Sequence, residues 1–353
     1  MPGIRLPRPN LIRLRHAAAR AVLLASCVGC WSTPQASDPS APILVIDGSS
    51  TVYPTAEAVA EALLERGLES RITVGISGTG GGFRKLCAGE STIATASRPI
   101  RTPEEQACAA NHVAYVELPF GWDGVAVVVN PANTWTKSLT VAQLRTIWAP
   151  AAQGTVTTWR QVDPSWPDEP VHLYGAGVDS GTYDYFTRAI VGSEHSSRGD
   201  FTASEDDNIL VQGISADRGA LGFMGLDYTA EAADRMRVVP IDDGDPRNGD
   251  GPILPTPATV ADATYQPLTR PVFLYVRADQ AKRPDVQAFV RLLLGAEGRR
   301  LMTELGEVAL SEPLTAAARA RFEAGTTGTM FPGGSQVGVD LATQLGLAPA
   351  VAP

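Results

Sequence analysis

The order that recurs along this sequence is a short apolar run, a loop rich in Gly, Ser and Thr, and a segment of helical composition. Two copies occupy residues 43–66 and 72–88, and a third apolar run over 93–96 is closed by Ser97-Arg98-Pro99. Short apolar runs bounded by turn residues are typical of buried strands, and strands that alternate with helices pair in parallel. We therefore predict an α/β fold built on a parallel sheet.

The rest of the chain continues this alternation over a length that suits two domains. With 353 residues, the chain accommodates two domains of roughly 100–200 residues each. The apolar run 124–129, which ends at Asn130-Pro131, is our candidate for the crossing into a second lobe. Residues after 325 are rich in Gly, Ala and Pro, and we expect them to be loosely ordered. Further strands are predicted at 171–174 and 271–276, and helices at 55–66, 83–88, 140–149, from 183, and at 285–305.

The first 27 residues have the composition of an export leader. Five arginines and no acidic residue precede the apolar stretch 21–25, which ends at Ser26 and Cys27. This is the pattern of a secretory signal, and residues 24–27 resemble a bacterial lipobox. We expect Cys27 to be lipidated, whereas cleavage before Cys30 and ordinary cleavage that yields a soluble periplasmic protein remain open. Residues 28–41, rich in Pro and Ser, are expected to form a flexible tether.

The net charge and the cysteines indicate which partners and which cellular compartment suit this chain. The formal net charge is -9, which argues against a general affinity for nucleic acid. With Cys27 and Cys30 assigned to the leader, Cys87 and Cys108 are left in the body of the protein. In an oxidising compartment we expect this pair to form a disulfide. In the chain-entropy model, a disulfide that closes the loop between these two cysteines stabilises the folded state by about 3 kcal/mol.

Three of the loops share one physical character, because each follows a predicted strand and opens a helix. They lie at 48–52, 78–82 and 179–182, and Arg98 adds a cation at a fourth strand end. A helix N-terminus has unpaired N–H groups and about half a positive charge. Glycines let this backbone approach a ligand, and hydroxyl groups add donors. The pattern indicates a site for a tetrahedral oxyanion, which such loops can bind without a net positive protein.

Other classes of site fit these residues less well. The run from Gly78 to Phe83 lacks the Gly-Lys-Ser/Thr ending of a nucleotide phosphate loop. The sequence contains no Gly-x-Ser-x-Gly motif, and no histidine is placed to activate Ser180. The histidines are scattered without metal-ligand spacing. We therefore expect a protein that is not an enzyme and that has neither a cofactor nor a metal site.

Six longer runs carry a resemblance to a known family: 46–54, 75–90, 96–100, 123–131, 179–186 and 201–208. They resemble the PstS family, the phosphate-binding components of ABC transporters, over roughly residues 43–330. The resemblance implies the two-lobed periplasmic binding protein fold of type II, in which the ligand lies in a cleft between lobes joined by a hinge. On this basis we expect lobe 1 to comprise 42–120 and 270–325, lobe 2 to comprise 121–269, and a C-terminal tail to span 326–353.

The resemblance also implies which residues bind the phosphate. One branch of the family has an aspartate at the position of Arg98 and an arginine at the position of Ala176. This chain departs from that branch at both positions and resembles a second branch, which has Ser-Arg-Pro. We expect Arg98 to reach the anion and Asp179 to orient Arg98. Asp123 is expected to accept the proton of hydrogen phosphate, which fully ionised sulfate lacks. The shell carried over from the family consists of Ser50, Thr51, the Val52 backbone, Thr79, Gly80, Ser97, Ser180, Gly181 and Thr182.

The implied function is capture of inorganic phosphate outside the inner membrane by a monomer, and its delivery to the permease of an ABC transporter. Two alternatives remain open: a binding protein for another oxyanion such as sulfate or molybdate, and a phosphate sensor or surface adhesin on the same fold. The proton-accepting carboxylate distinguishes phosphate from the other oxyanions. Hydrogen phosphate can donate its proton to this carboxylate, whereas a dianion without a proton is repelled by its negative charge.

Overall fold

The computed structural model describes residues 42–178, 180–338 and 340–347. The predicted leader, the tether, Cys27 and Asp179 lie outside these residues. Within the described part of the chain, no helix is long and apolar enough to cross a membrane.

Strands and helices alternate through the described residues. The strands, in chain order, are β1 Ile43–Gly48, β2 Arg71–Ile76, β3 Ile93–Ala96, β4 Tyr115–Val129, β5 Leu139–Thr140, β6 His172–Ala176, β7 Thr202–Ser204, β8 Ala220–Gly225, β9 Arg237–Val238, β10 Ile241–Asp242, β11 Thr269–Arg277 and β12 Val308–Ala309. The helices are α1 Tyr53–Glu65, α2 Gly78–Cys87, α3 Thr102–Ala110, α4 Val141–Trp148, α5 Gly181–Ile190, α6 Asp207–Ala216, α7 Asp227–Glu231, α8 Pro257–Ala261, α9 Pro284–Leu293, α10 Ala296–Glu304, α11 Glu312–Glu323 and α12 Leu341–Gln344.

The main sheet has the strand order β2-β1-β3-β11-β4-β8-β6-β7. The strands β1, β2 and β3 pair in parallel, as do β6, β7 and β8. The two central strands differ from the prediction, because β11 runs antiparallel to both β3 and β4, and β4 runs antiparallel to β8. The α/β fold is therefore confirmed, but the sheet is mixed and not purely parallel.

The long strand β4 divides this sheet into two halves. Its residues 115–124 pair with β11, whereas residues 125–129 pair with β8. We call β2, β1, β3, β11 and the first part of β4 the first half-sheet, and the second part of β4 with β8, β6 and β7 the second half-sheet. The loops predicted to bind an anion follow β1 and β2 in the first half-sheet and β6 in the second.

Alternating side chains of β11 enter two different hydrophobic clusters. Val272 and Leu274 join the cluster that includes residues of α1 and α9, while Phe273 and Tyr275 join the other cluster, as the two-residue period of a strand requires. The second cluster continues to Phe223 on β8 in the second half-sheet. Each fully buried side chain of this kind contributes about 1.5–3 kcal/mol. This shared core supports the region where the two half-sheets meet.

Three predicted elements have different bounds in the structure. The helix predicted from Phe83 begins at Gly78, so the glycine run is its first turn and not a preceding loop. The helix predicted over 285–305 is two helices, α9 and α10, separated at Leu294 and Gly295. The strand predicted over 124–129 begins at Tyr115, because its first part carries glycine and carboxylate residues that hide its apolar pattern.

The C-terminal tail is better ordered than its composition suggests. Thr329 Oγ1 and the Met330 amide donate hydrogen bonds to the buried carboxylate of Glu117, at 2.7 and 2.6 Å. Phe331 is only 1% exposed and packs against Phe273. The expectation of a loosely ordered tail is therefore wrong for these residues, because they satisfy a buried charge and cover part of the core.

The predicted disulfide is confirmed. Cys87 at the end of α2 is bonded to Cys108 in α3, and their Cα atoms are 4.2 Å apart. The bond fixes α3 beside α2, and thereby fixes the segment from Ser97 to Arg101 that connects β3 to α3.

Candidate functional site

Hydroxyl groups of the first and third predicted loops line one cavity. Ser50 and Thr51 come from the turn after β1, while Ser180 and Thr182 come from the N-terminus of α5 after β6. The cavity therefore receives donors from both half-sheets. The structure brings together these four residues, which are separated by about 130 positions in the sequence.

The second predicted loop lies beside the third. Thr79 is 1% exposed and Ser97 is fully buried. The Ser97 amide donates to Thr79 Oγ1 at 3.1 Å, and the two hydroxyl oxygens are also 3.1 Å apart. A Cβ atom built on Gly181 would overlap Ser97 Oγ and lie 3.0 Å from Thr79 Oγ1. Thr79, Ser97 and the start of α5 thus meet where the two half-sheets face each other.

Local chemistry explains why α5 and α2 begin where they do. Ser180 is the N-cap of α5, and its Oγ accepts a hydrogen bond from the Thr182 amide at 3.1 Å. Gly78 opens α2 with a φ of 72°, a left-handed conformation that glycine adopts without strain. Gly82 in the same helix lies against the first loop, because a Cβ there would be 2.7 Å from Gly48 Cα.

Arg98 is 2% exposed, and carboxylates surround it. Its Nη1 and Nη2 donate to the two oxygens of Glu104, each at 2.8 Å, its Nη1 also donates to the Pro99 carbonyl, and its Nε donates to Asp184 at 3.1 Å. Burial works against the charge of Arg98, but the bonds and charges of Glu104 and Asp184 outweigh it, so its pKa lies above the ordinary value. These contacts leave one N–H of Nη2 uncommitted. A Cβ built on Gly80 would be 3.8 Å from that nitrogen.

The carboxylate predicted from the sequence to orient Arg98 is Asp179, which lies outside the described residues. Glu104 and Asp184 hold Arg98 in the structure, and the sequence analysis missed both of them. Glu104 could have been found, since a carboxylate in the first turn of α3 follows the arginine by six residues. Asp184 could not, because only the tertiary structure places it beside Arg98 across 86 residues.

Arg270 is a second buried cation that sequence reasoning missed. It is 1% exposed, and its Nε and Nη2 donate to Asp123 Oδ2 at 2.8 and 2.6 Å. Its Nη2 also donates to Thr182 Oγ1 at 2.9 Å, and its Nη1 donates to the Gly181 carbonyl. Thr182 Oγ1 accepts this bond, so its own hydrogen remains available to a ligand. The available signal was an arginine at the start of the apolar run of β11.

Carboxylates form another wall of the cavity. Asp207 and Asp227 line it together with the four hydroxyl residues. Burial and, after it, neighbouring carboxylates such as Asp123 raise the pKa of each to about 7. An adjoining cavity is lined by Thr51, Asp123, Asp227 and Glu307. Burial likewise raises the pKa of Glu307, to about 8.

This arrangement suits a small oxyanion that carries a proton. Neutral hydroxyl donors line the cavity, the nearby arginines are already paired, and a deprotonated Asp207 or Asp227 can accept the proton of the ligand. Among the described residues, no group of three or more His, Cys, Asp or Glu side chains could hold a metal ion. The chain thus presents hydrogen-bond donors without the side chains of a metal centre in the part that the structure describes.

Comparison with known proteins agrees with this geometry. The PBP superfamily domain matches residues 33–297. Protein SphX of Synechococcus elongatus is 44% identical over 325 residues, which cover 92% of this chain and 94% of that protein. The phosphate-binding protein PstS of Staphylococcus haemolyticus is 33% identical over 256 residues, which cover 72% of this chain and 77% of that protein.

A solved structure extends the likeness to three dimensions. The crystal structure of a possible phosphate binding protein from Planctomyces limnophilus is 41% identical, with a TM-score of 0.63, and the match covers 81% of this chain and 99% of that chain. The chain thus has the two-lobed α/β fold of a periplasmic binding protein. The chain belongs to the PBP superfamily and, within it, to the PstS-like family of binding proteins.

Proposed function

We propose that this protein captures inorganic phosphate outside the inner membrane and delivers it to the permease of an ABC transporter. The observation that carries the proposal is the single cavity lined by Ser50 and Thr51 from one half-sheet and by Ser180 and Thr182 from the other. The names of the PstS and Planctomyces relatives, which refer to phosphate binding, support the same ligand.

In this proposal the anion is held by donors that are neutral. The hydroxyl groups of Ser50, Thr51, Ser180 and Thr182 line the cavity, and the starts of α2 and α5 add backbone N–H groups, including those of Gly80 and Gly181. The Val52 N–H, expected from the sequence to bind the anion, donates to the Ser49 carbonyl at 3.2 Å. Thr79 and Ser97 complete the shell on the side of the first half-sheet. Arg98 contributes its remaining N–H, and Arg270 holds the first turn of α5 in place.

Selectivity for phosphate requires a carboxylate that accepts its proton. Asp123, the candidate from the sequence, has Oδ2 occupied by two donors of Arg270 and lines the adjoining cavity. Asp227 lines both cavities and has a pKa of about 7. We therefore propose Asp227 as the acceptor of the phosphate proton. Asp123 is the alternative, and titration of variants at both positions distinguishes the two.

The test is calorimetric titration of the protein with phosphate, arsenate, sulfate and molybdate. We expect one-to-one binding of phosphate, tolerance of arsenate, and no response to sulfate. Asp227→Asn should still bind phosphate but lose at least about tenfold of its preference over sulfate, which corresponds to 1.4 kcal/mol. If Asp123→Asn alone lowers this preference, the acceptor is Asp123. Preference of the unaltered protein for sulfate or molybdate would overturn the proposed ligand.

Delivery is proposed to occur from a monomer anchored at the membrane through Cys27. The support is the leader composition of residues 1–27 and the Pro/Ser-rich segment 28–41, which would separate the binding domain from a lipid anchor. A phosphate sensor or adhesin would bind the same anion. Deletion of the gene for a phosphate permease, and separately of the gene for this protein, distinguishes these functions. Phosphate uptake that is lost in both deletions supports transport.

A further inference from the structure

A group of charged residues joins the two half-sheets beside the proposed anion site. We call Arg98, Arg101, Asp184 and Glu194 the interlobe ion pairs. Arg98 and Arg101 follow β3 in the first half-sheet. Asp184 lies in the first turn of α5, and Glu194 follows that helix, so both carboxylates belong with the second half-sheet.

Asp184 is the centre of this group. It is 4% exposed, and its Oδ2 lies 3.1 Å from Arg98 Nε and 2.6 Å from Arg101 Nη2. Arg101 also reaches Glu194, with its Nε 2.6 Å from Glu194 Oε2. On the other side of Asp184, His195 Nε2 lies 2.9 Å from Oδ1. The contact of Arg98 with Asp184 is a charge-assisted hydrogen bond, which is stronger than one between neutral groups. The contacts of Arg101 and His195 are close ion-pair contacts without hydrogen-bond geometry.

If the two half-sheets move apart, some contacts of these residues would be kept and others lost. Arg98 keeps its two bonds to Glu104 in either state, because Glu104 lies in α3 on the same side of the cleft. Asp184 keeps His195, which is on its own side and half exposed. The contacts of Asp184 with Arg98 and Arg101 exist only while the two sides touch. They therefore stabilise the closed form selectively, which is the condition for shifting an equilibrium.

We propose that the interlobe ion pairs hold the cleft closed, and that Asp184 is a positioning residue that limits how fast the bound anion leaves. Arg98 then acts mainly as a connection between the lobes, and its remaining N–H is secondary to that role. The effect on anion release rests on the proposed function, whereas the effect on closure does not depend on which anion binds.

The test compares Asp184→Asn with Asp200→Asn. Asp200 is a matched control, since it pairs with buried Arg198 two residues away and both lie on one side of the cleft. Stopped-flow measurement of phosphate release should give a dissociation rate about 5–150-fold faster in Asp184→Asn, the usual range of coupling between two sites. The control should remain within about twofold of the unaltered protein. Glu194→Gln, at the more exposed end, should shift the rate in the same direction by less.

Small-angle scattering supplies a readout that is independent of phosphate. The radius of gyration of Asp184→Asn, with and without anion, should exceed that of Asp200→Asn, because its open form is more populated. The proposal is overturned if the two variants share both their release rate and their radius of gyration. If the unaltered protein does not bind phosphate, the proposed function fails, but the scattering comparison still decides whether Asp184 closes the cleft.

Discussion

Two buried cations, Arg98 and Arg270, reach the cleft, and each lies within hydrogen-bond distance of a carboxylate. Their positive charge is therefore largely balanced before any anion arrives. Asp207 and Asp227 lie in the same cavity without such a partner arginine, and burial raises their pKa values. At the scale of residues, the site combines neutral donors with carboxyl groups that titrate near neutral pH.

The raised pKa of Asp227 predicts a specific dependence of stability on pH. An ordinary aspartate loses its proton near pH 4 in the unfolded chain, whereas Asp227 keeps it to about pH 7 in the folded protein. The folded state thus binds more protons, so the stabilisation is complete below pH 4 and disappears as pH rises through 7. Relative to the unaltered protein, Asp227→Asn should gain on the order of 2 kcal/mol between pH 5 and pH 8.

Urea unfolding at these two pH values measures this difference. Asp245→Asn is the control, because Arg247 lowers the pKa of Asp245 to about 2 and its titration is over before pH 5. Equal pH dependence in Asp227→Asn and the unaltered protein would show that Asp227 titrates normally.

At the scale of elements, the start of α5 is closely packed where it lines the cavity. The helix begins at Gly181, whose neighbours Ser180 and Thr182 line the cavity and whose carbonyl accepts a bond from Arg270. Ser97 and Thr79, on the other half-sheet, approach so closely that no side chain fits at Gly181. The closed arrangement of the cleft therefore depends on a glycine at this position.

Gly181→Ala should weaken phosphate binding by at least about tenfold, because the new methyl group would separate α5 from Ser97. Gly199→Ala is the matched control, since Gln153 Oε1, 3.7 Å away, is the nearest neighbour of a Cβ there. Calorimetric titration gives the affinity, and circular dichroism shows whether the variant folds. Unchanged phosphate affinity in a folded Gly181→Ala protein would contradict the observed contact.

At the scale of the whole molecule, lipidation of Cys27 would hold the binding domain at the membrane, where we propose that it delivers phosphate. Cys27→Ser should release the protein from the membrane fraction, because a lipidated first cysteine would be lost. Cys30→Ser is the control and should leave the protein bound if cleavage precedes Cys27. Fractionation and mass spectrometry of the N-terminus measure both results. Release only in Cys30→Ser would place the anchor there, and release in neither would favour an unanchored protein.

The amino-acid sequence by itself determined the local features of this protein. It located the strands β1, β2 and β3 to within two residues at each end, and the disulfide between Cys87 and Cys108. These features follow from apolar runs, turn residues and cysteine usage, which act over short stretches of chain. The longer sequence runs also led to the family, which the comparisons confirm.

Only the tertiary structure decided which distant residues meet. Arg270 pairs with Asp123 across 147 residues, Arg98 pairs with Asp184 across 86, and Glu117 receives the tail across more than 200. Nothing in the local pattern records such contacts, because they depend on the antiparallel placement of β4 and β11 and on how closely the lobes approach. The sequence thus specified donors for an anion, while the fold decided which charges neutralise one another around it.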